Sequence, residues 1–406
     1  MNQIDAGATA WIIVATALVL LMTPGLAFFY GGMVRGKNVL SSLMHSFFAI
    51  SIVSMQWLFV GYSLAFGGDV GGVIGDLRHV GFAGVGLEAK GQIPHLLFAA
   101  FQGMFAVITP ALVSGAVAER VKFPSYAIFV LAWVTLVYCP VAHWVWADGG
   151  WLFKLGALDF AGGTVVHLIS GVSALVFVRL LGPRVGHPRE RFTPHDLPLA
   201  AIGTGLLLFG WLGFNGGSAL AANGTAALAV VTTWLAAAAG GLSWAAAEWI
   251  RHRKPSLLGT LSGIVAGLVA ITPASGFVGP VPGAIIGLCA GLVCYGAVVL
   301  KTRLGYDDAL DAFGVHGVGG LFGALATGVF AAKIWNDAGQ DGLLTSGSFH
   351  QLGVQALGVV AAGSYAAAVT AAILFALKKT LGLRVEEQEE REGLDTTQHG
   401  EQAYSR

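Results

Sequence analysis

Apolar residues in this chain come in long unbroken runs. WIIVATALVLLMTPGLAFFYGGM (11–33) is the first, and ten more follow at 39–66, 95–117, 125–146, 161–178, 197–219, 226–250, 257–272, 281–300, 312–331 and 349–377. A bilayer core about 30 Å thick is crossed by about 20 apolar residues of helix. The runs are continuous rather than alternating, which argues against membrane strands. Inside hydrocarbon each backbone N–H and C=O must be bonded within its own segment, so each run reads as a helix. Charged residues make up only 11% of the chain, against about 25% in a soluble domain. That is too few to coat a water-facing surface, and it excludes a soluble enzyme, a nucleic-acid binder and a disordered scaffold together. The expectation is an all-α polytopic membrane protein with eleven transmembrane helices.

Lysine plus arginine and aspartate plus glutamate balance at 22 each, so no basic surplus points to nucleic acid. Their placement is informative instead. With the N-terminus outside, all but four of the bases fall on inner loops or on the C-terminal segment; Arg78, Lys90, Lys154 and Lys333 remain outside. This positive-inside bias predicts N-out, C-in, and therefore an odd number of crossings. The protein is expected in the cell membrane, the cytoplasmic (inner) membrane of a bacterium. The first ten residues lack a basic region, so no cleavable signal is expected. Cys139, Cys289 and Cys294 lie in apolar runs and suggest neither a disulfide framework nor a metal site.

The soluble parts are short: an outer segment 67–94, an inner loop 179–196 and a polar tail. The chain divides into a membrane domain, 1–377, and a cytoplasmic tail, 378–406, whose acids between Glu386 and Glu392, with Asp395, are expected to pair with the inner-loop bases Arg35, Arg120, Arg179 to Arg191 and Lys254. Asp159–His167 opens the fifth run and Asp311–Gly320 the tenth, each with an Asp at the start and a His shortly inside. Opposed runs with matching polar elements predict an inverted repeat of helices 1–5 and 6–10, with helix 11 outside it and a site at the repeat interface.

Ionisable groups at membrane depth are costly and mark function. His45, His143, Asp159, His167, Glu248, Asp311 and His316 are the candidates. Asp159 and Asp311 stand where helices begin and are read as N-caps with an added electrostatic role. His167 and His316 have valine and glycine neighbours and no third ligand at metal spacing, so no metal or other cofactor is expected. A lone core imidazole is one reading of each. Their matching positions in opposed repeats favour the other, a facing pair that shares a proton. If the two spans were plain helices, both rings would stop short of the midplane. They meet only if 307–313 dips into the membrane and Gly314, Gly317, Gly319 and Gly320 permit close approach.

Aromatic spacing adds a path. Trp211, Phe214 and Ser218 fall on one helix face, as do Phe101 and Phe105, and Trp146 ends the fourth run on the outer side. Such stripes also serve as core or lipid-facing packing. Together they outline an outer cation site of aromatic faces and a hydroxyl, a hydrophobic constriction, then two imidazoles.

At these residues the sequence resembles the ammonium transporter family (Amt/MEP/Rh), most closely its bacterial Amt members. The likeness is carried by TPGLAFFYGGMVRGKNVL (23–40), FAAFQGMFAVITPALVSGAVAER (98–120), GALDFAGGTVVH (156–167), GWLGFNGGSA (210–219), KPSLLG (254–259), DDALDAFGVHGVGG (307–320) and the tail elements GLRVEEQEEREGLD and HGEQAY between 382 and 404. The resemblance implies ammonium recruitment at Trp146 and Ser218 beside Phe105 and Trp211, a Phe105–Phe214 gate, a pore lined by His167 and His316, and a structural carboxylate at Asp159. It also implies a homotrimer among membrane lipids, with one pore per subunit, and a tail that binds a cytoplasmic PII-type protein. One residue more than in common bacterial members around 147–155 leaves Trp144, Trp146 and Trp151 to be told apart, and HWVW favours Trp146. Recruited NH4+ would lose a proton and cross as NH3. An ammonium sensor signalling through the tail and a Rh-like neutral gas channel are the alternatives. An intramembrane enzyme lacks a nucleophile or metal set, so no catalytic residues are assigned.

Overall fold

The computed structural model describes residues 3–404. Among them ten helices are long and apolar enough to cross a membrane: Ala6–Met33, Val39–Phe66, His95–Val117, Phe123–Leu155, Gly163–Leu181, Leu197–Gly217, Gly224–His252, Pro280–Leu304, Phe313–Phe330 and His350–Thr380. The run at 257–272 forms a shorter helix, Leu257–Ile271. Its 15 residues rise only about 22 Å at about 1.5 Å each. It packs between Gly224–His252 and Pro280–Leu304.

Local sequence explains the starts. Asp5, Asp196, Asn223 and Ser256 each accept a backbone N–H three residues on, a side-chain cap for an otherwise bare first turn. Ala6–Met33 and Leu197–Gly217 pack closely because a Cβ on Gly203 would run into the backbone of Phe29. Four helices are interrupted by a π turn, at Trp57–Gly61, Val134–Tyr138, Gly163–Leu168 and Phe313–Gly317. Such turns break helical regularity, and the last two carry His167 and His316.

The segment 67–94 folds into two small antiparallel hairpins, pairing Asp69 with Gly75 and Ala89 with Pro94. The first lies across the end of Phe123–Leu155: Trp144 Nε1 donates to the Val73 carbonyl at 2.7 Å and the Trp151 N–H to Gly72 at 3.1 Å.

The tail docks on the loop face. Lys122 N–H donates to Leu383 and Val385 N–H to the Arg120 carbonyl, and Leu383 and Leu394 are buried. Asp395 accepts from the Ser41 N–H at 2.8 Å and so caps the helix Val39–Gln56 from across the molecule. Asn38, the residue in the cap position, instead accepts from the Leu394 N–H at 2.8 Å.

One expectation fails here. The tail acids do not pair with Arg35, Arg120 and Arg184. Glu119 holds Arg35 at 3.1 Å and Arg184 at 3.0 Å; Asp307 holds Arg184 at 2.8 Å and lies 3.9 Å from Arg120. Buried guanidinium groups need partners fixed in the same protein core, and Glu119 and Asp307 are themselves buried. The tail's Glu390 is held by its own Arg384 at 2.6 Å and by the Val185 N–H.

Candidate functional site

Two helices begin irregularly at the same level. Gly162 turns the chain with φ 111°, and the His167 N–H reaches back five residues to the Gly162 carbonyl at 3.0 Å. The Asp159 carboxylate fills the gap, accepting from the N–H groups of Gly162, Gly163, Thr164 and Val165 at 2.6–3.0 Å. On the other side Asp308 accepts from Ala312 and Phe313 at 3.0 and 2.8 Å. Asp311, expected as the second cap, makes no such bond. Its φ of +61° turns the chain, and its carboxylate faces Lys301 Nζ at 2.5 Å. Asp308 is therefore the structural counterpart of Asp159, each eight residues before its histidine (159 to 167, 308 to 316).

The segment ahead of His316 is drawn inward. Leu310 and Ala309 N–H groups donate to the Gly115 and Ala116 carbonyls, and Asp307 and Asp308 are buried. The two irregular helices then cross in backbone contact: a Cβ on Gly171 would strike the Gly317 nitrogen, and one on Gly320 would lie 2.6 Å from the Gly163 carbonyl. This closeness brings the imidazoles together, Nδ1 to Nδ1 at 3.3 Å with ring centroids 5.3 Å apart and planes at 21°. At that contact one ring donates and the other accepts.

Aromatic rings line up beside them. Trp211 stacks on His167 at 5.2 Å, while its Nε1 is bonded to Thr272 Oγ1 at 2.9 Å. Phe214 also touches Trp211, at 5.7 Å, and lies against Phe105 at 4.2 Å; Trp146 meets the Phe105 ring edge-on at 5.9 Å. Trp146 Nε1 donates to the Asp159 carbonyl at 2.9 Å, and Ser218 Oγ to the Phe214 carbonyl at 2.8 Å. Phe214, Trp211 and the two imidazoles line a slot of about 10 Å³, closed by Met22, Leu26, Ile108, Leu207 and Val265. That volume is about enough for one water-sized molecule. Beyond His316 it gives way to a wider cavity of about 160 Å³ bordered by Glu248, Ser262 and Asp311. Among the described residues no three His, Cys, Asp or Glu side chains are grouped to hold a metal ion.

The family model for the Ammonium Transporter Family matches residues 10–404. An ammonium transporter of Bacillus subtilis (strain 168) is 50% identical over 402 residues, covering 98% of each chain. The chain belongs to the ammonium transporter family. The crystal structure of Saccharomyces cerevisiae Mep2 is similar, with a TM-score of 0.88 at 40% identity over 95% of this chain and 88% of that one. A solved structure described as a sensor Amt protein matches at a TM-score of 0.90 and 33% identity, over 97% of this chain and 98% of that one.

In this member of the family the rings of the expected site form one file, Trp146, then Phe105 with Phe214, then Trp211 with His167, then His316, and Ser218 lies one turn beyond Phe214 on the same helix. Trp144 and Trp151 stand apart from it, packed on each other at 5.8 Å. Sequence reading missed Asp308, Thr272, Gly171 and the buried Glu119–Arg184–Asp307 lattice. Burial raises the Glu119 carboxyl, but Arg184 and Arg35 outweigh it and hold it below its ordinary range. Burial acts the same way on Asp307, and the Arg184 hydrogen bonds with the charge of Arg120 again prevail. The signal that identifies Asp308 was present: its spacing to His316 repeats that of Asp159 to His167.

Proposed function

We propose that this chain conducts ammonium across a membrane, as NH3 released from recruited NH4+. The observation that carries the reading is the narrow apolar slot lined by Phe214, Trp211, His167 and His316, with Phe105 packed on Phe214 and the two imidazoles in contact. A bare cation in such a slot loses its hydration without gaining a counter-charge. Desolvation disfavours the charged form of an acid–base pair, so NH4+ held at Trp146 gives up a proton to water at the outer mouth, leaving NH3 and H3O+, before it passes the phenylalanines. Neutral NH3 still donates and accepts hydrogen bonds, and the imidazole nitrogens offer both roles. K+ has no neutral form and stays outside. Trp146 and Phe105 supply aromatic faces to the arriving cation, worth about 0.5–2 kcal/mol each, with the Ser218 hydroxyl as acceptor.

The reading extends to eleven crossings, N-out and C-in, with helices 1–5 and 6–10 as an inverted repeat. The repeated Asp-to-His spacing and the distribution of lysine and arginine support it. A homotrimer in the cytoplasmic membrane, a membrane body over 1–377 and a tail over 378–406 that meets a PII-type protein complete it. A sensor is the second reading, favoured by the likeness to the sensor Amt structure. Ammonium jumps on proteoliposomes, with K+ as control, separate the readings. Steady current means charge-coupled uptake, and uptake without current means NH3 passage alone. Neither signal, with retained ammonium binding, means a sensor. Replacing either His167 or His316 with Ala is expected to cut flux at least about tenfold, as loss of a group lining the path does; unchanged flux and selectivity in both variants defeats the twin-imidazole pore.

A further inference from the structure

We propose that Asp69 and His143 form a latch that positions Trp146, so that the affinity of the outer cation site depends on a hairpin the cation never touches. This rests on the recruitment reading of Trp146. The stretch that carries the indole, Cys139–Trp146, has only eight residues. It carries Pro140 in its first turn and follows the π turn Val134–Tyr138, and after Trp146 the chain leaves the helix at Ala147. It is the outer end of the span Phe123–Leu155, past an irregular turn and just before the chain leaves the helix, so the pose of Trp146 depends on what ties that end down.

His143 stands one turn before Trp146 and is 0% exposed. Its Nδ1 lies 2.9 Å from the Ala65 carbonyl and its Nε2 3.0 Å from Asp69 Oδ1. The carbonyl only accepts, so Nδ1 carries a hydrogen, and the contact to the carboxylate is closed by a second proton between Nε2 and Oδ1. Asp69 Oδ1 also takes the Gly72 N–H at 2.8 Å, and Oδ2 lies 3.7 Å from Lys154 Nζ. The His143 hydrogen bond, with smaller help from Gly72 and Lys154, holds the Asp69 carboxyl below its ordinary range against burial. Trp144 to Val73 and Trp151 to Gly72 tie the same hairpin to the same helix end. No room is left over, since a Cβ on Gly149 would strike the Asp69 side chain. Trp146, bonded to the Asp159 carbonyl and set edge-on to Phe105, keeps that pose only while the latch is closed.

The test uses the full-length protein in proteoliposomes and uptake of radiolabelled methylammonium. Asp69→Ala opens the latch and is expected to raise KM about tenfold with maximal rate within about twofold, the pattern of lost binding rather than lost chemistry. In Asp69→Asn the amide N–H can donate to Nε2 of a singly protonated ring but no longer accepts the Gly72 N–H at that atom, so the latch closes in part and KM rises clearly less than in Asp69→Ala, about threefold. Trp144→Phe removes a second tie and raises KM about threefold, which decides the matter even if Asp69→Ala does not assemble. An unchanged KM in Asp69→Ala and Trp144→Phe overturns the latch. So does Asp69→Asn as impaired as Asp69→Ala, which would mean that the carboxylate attracts the cation directly, and so does loss of maximal rate at constant KM. Trp146→Leu is the separate control: if its KM matches the parent, the recruitment reading itself is wrong.

Discussion

The two irregular helices solve one problem with different chemistry. At Gly163–Leu181 a single carboxylate, Asp159, accepts four N–H groups, and among the described residues no cation pairs with it. At Phe313–Phe330 Asp308 accepts two, and the work around it is shared by Lys301 with Asp311 and by the Glu119–Arg184–Asp307 lattice. That lattice continues into the tail, because the Arg120 that lies near Asp307 also offers its carbonyl to Val385. A load on one side chain is all-or-none. A load spread over ion pairs can be adjusted, and it is the adjustable end that adjoins the tail.

Substitutions test this contrast directly. Asp159→Ala leaves four buried donors without an acceptor, each costing about 1–3 kcal/mol. No folded protein is expected in detergent by fluorescence-detected size exclusion; a stable, active variant would show that the load is shared there too. Arg184→Ala leaves buried Glu119 with Arg35 alone and buried Asp307 with only Arg120 at 3.9 Å, and is expected to cost about 3 kcal/mol in thermal or denaturant unfolding, leaving a folded but weakened protein.

The same lattice sets an acid limit. Glu119 and Asp307 have folded-state values below the ordinary carboxylate range, so their contribution is complete above about pH 4 and is lost as pH falls further. The melting temperature should be level from neutral pH to about 5 and drop below about 4, with a shallower drop in Arg184→Ala. An equal slope in both proteins would remove the lattice from the account. Asp308→Ala, with two bonds to lose, is expected to cost about 1–2 kcal/mol. If it matches Asp159→Ala, the two ends are equivalent after all. Smallest is Asp395→Ala, about 1 kcal/mol, read as faster hydrogen exchange at the Ser41 amide with the membrane core unchanged.

Hydropathy made the helical runs readable to within a few residues, because the lipid allows few alternatives to a helix. The histidine pair was also within reach: its geometry required a buried 307–313 segment and glycines at the crossing, and both are present. The choice among three aspartates in DDALDAFGVH rested on one slender signal, the eight-residue spacing to the histidine that Asp308 shares with Asp159. Asp311 is nearer to His316 in sequence, but its turn conformation and Lys301 take it out of the cap, and both depend on how Pro280–Leu304 packs. The arginines at 35, 120 and 184 were read as topology signals and assigned to tail acids. Which carboxylates meet them depends on loops separated by up to 187 residues, as between Arg120 and Asp307, and composition carries no such register.

Asp395 capping Val39–Gln56 has a consequence for how the protein is made. The cap is synthesised 354 residues after the Ser41 it binds. At about 5–20 residues per second, an early helix waits roughly 20–70 s in the membrane with its first turn bare. Until translation reaches the tail, water or lipid headgroups must serve those amides. A copy that lacks the tail therefore keeps the first turn of Val39–Gln56 without its side-chain acceptor, and the helix start is completed only by the last residues made.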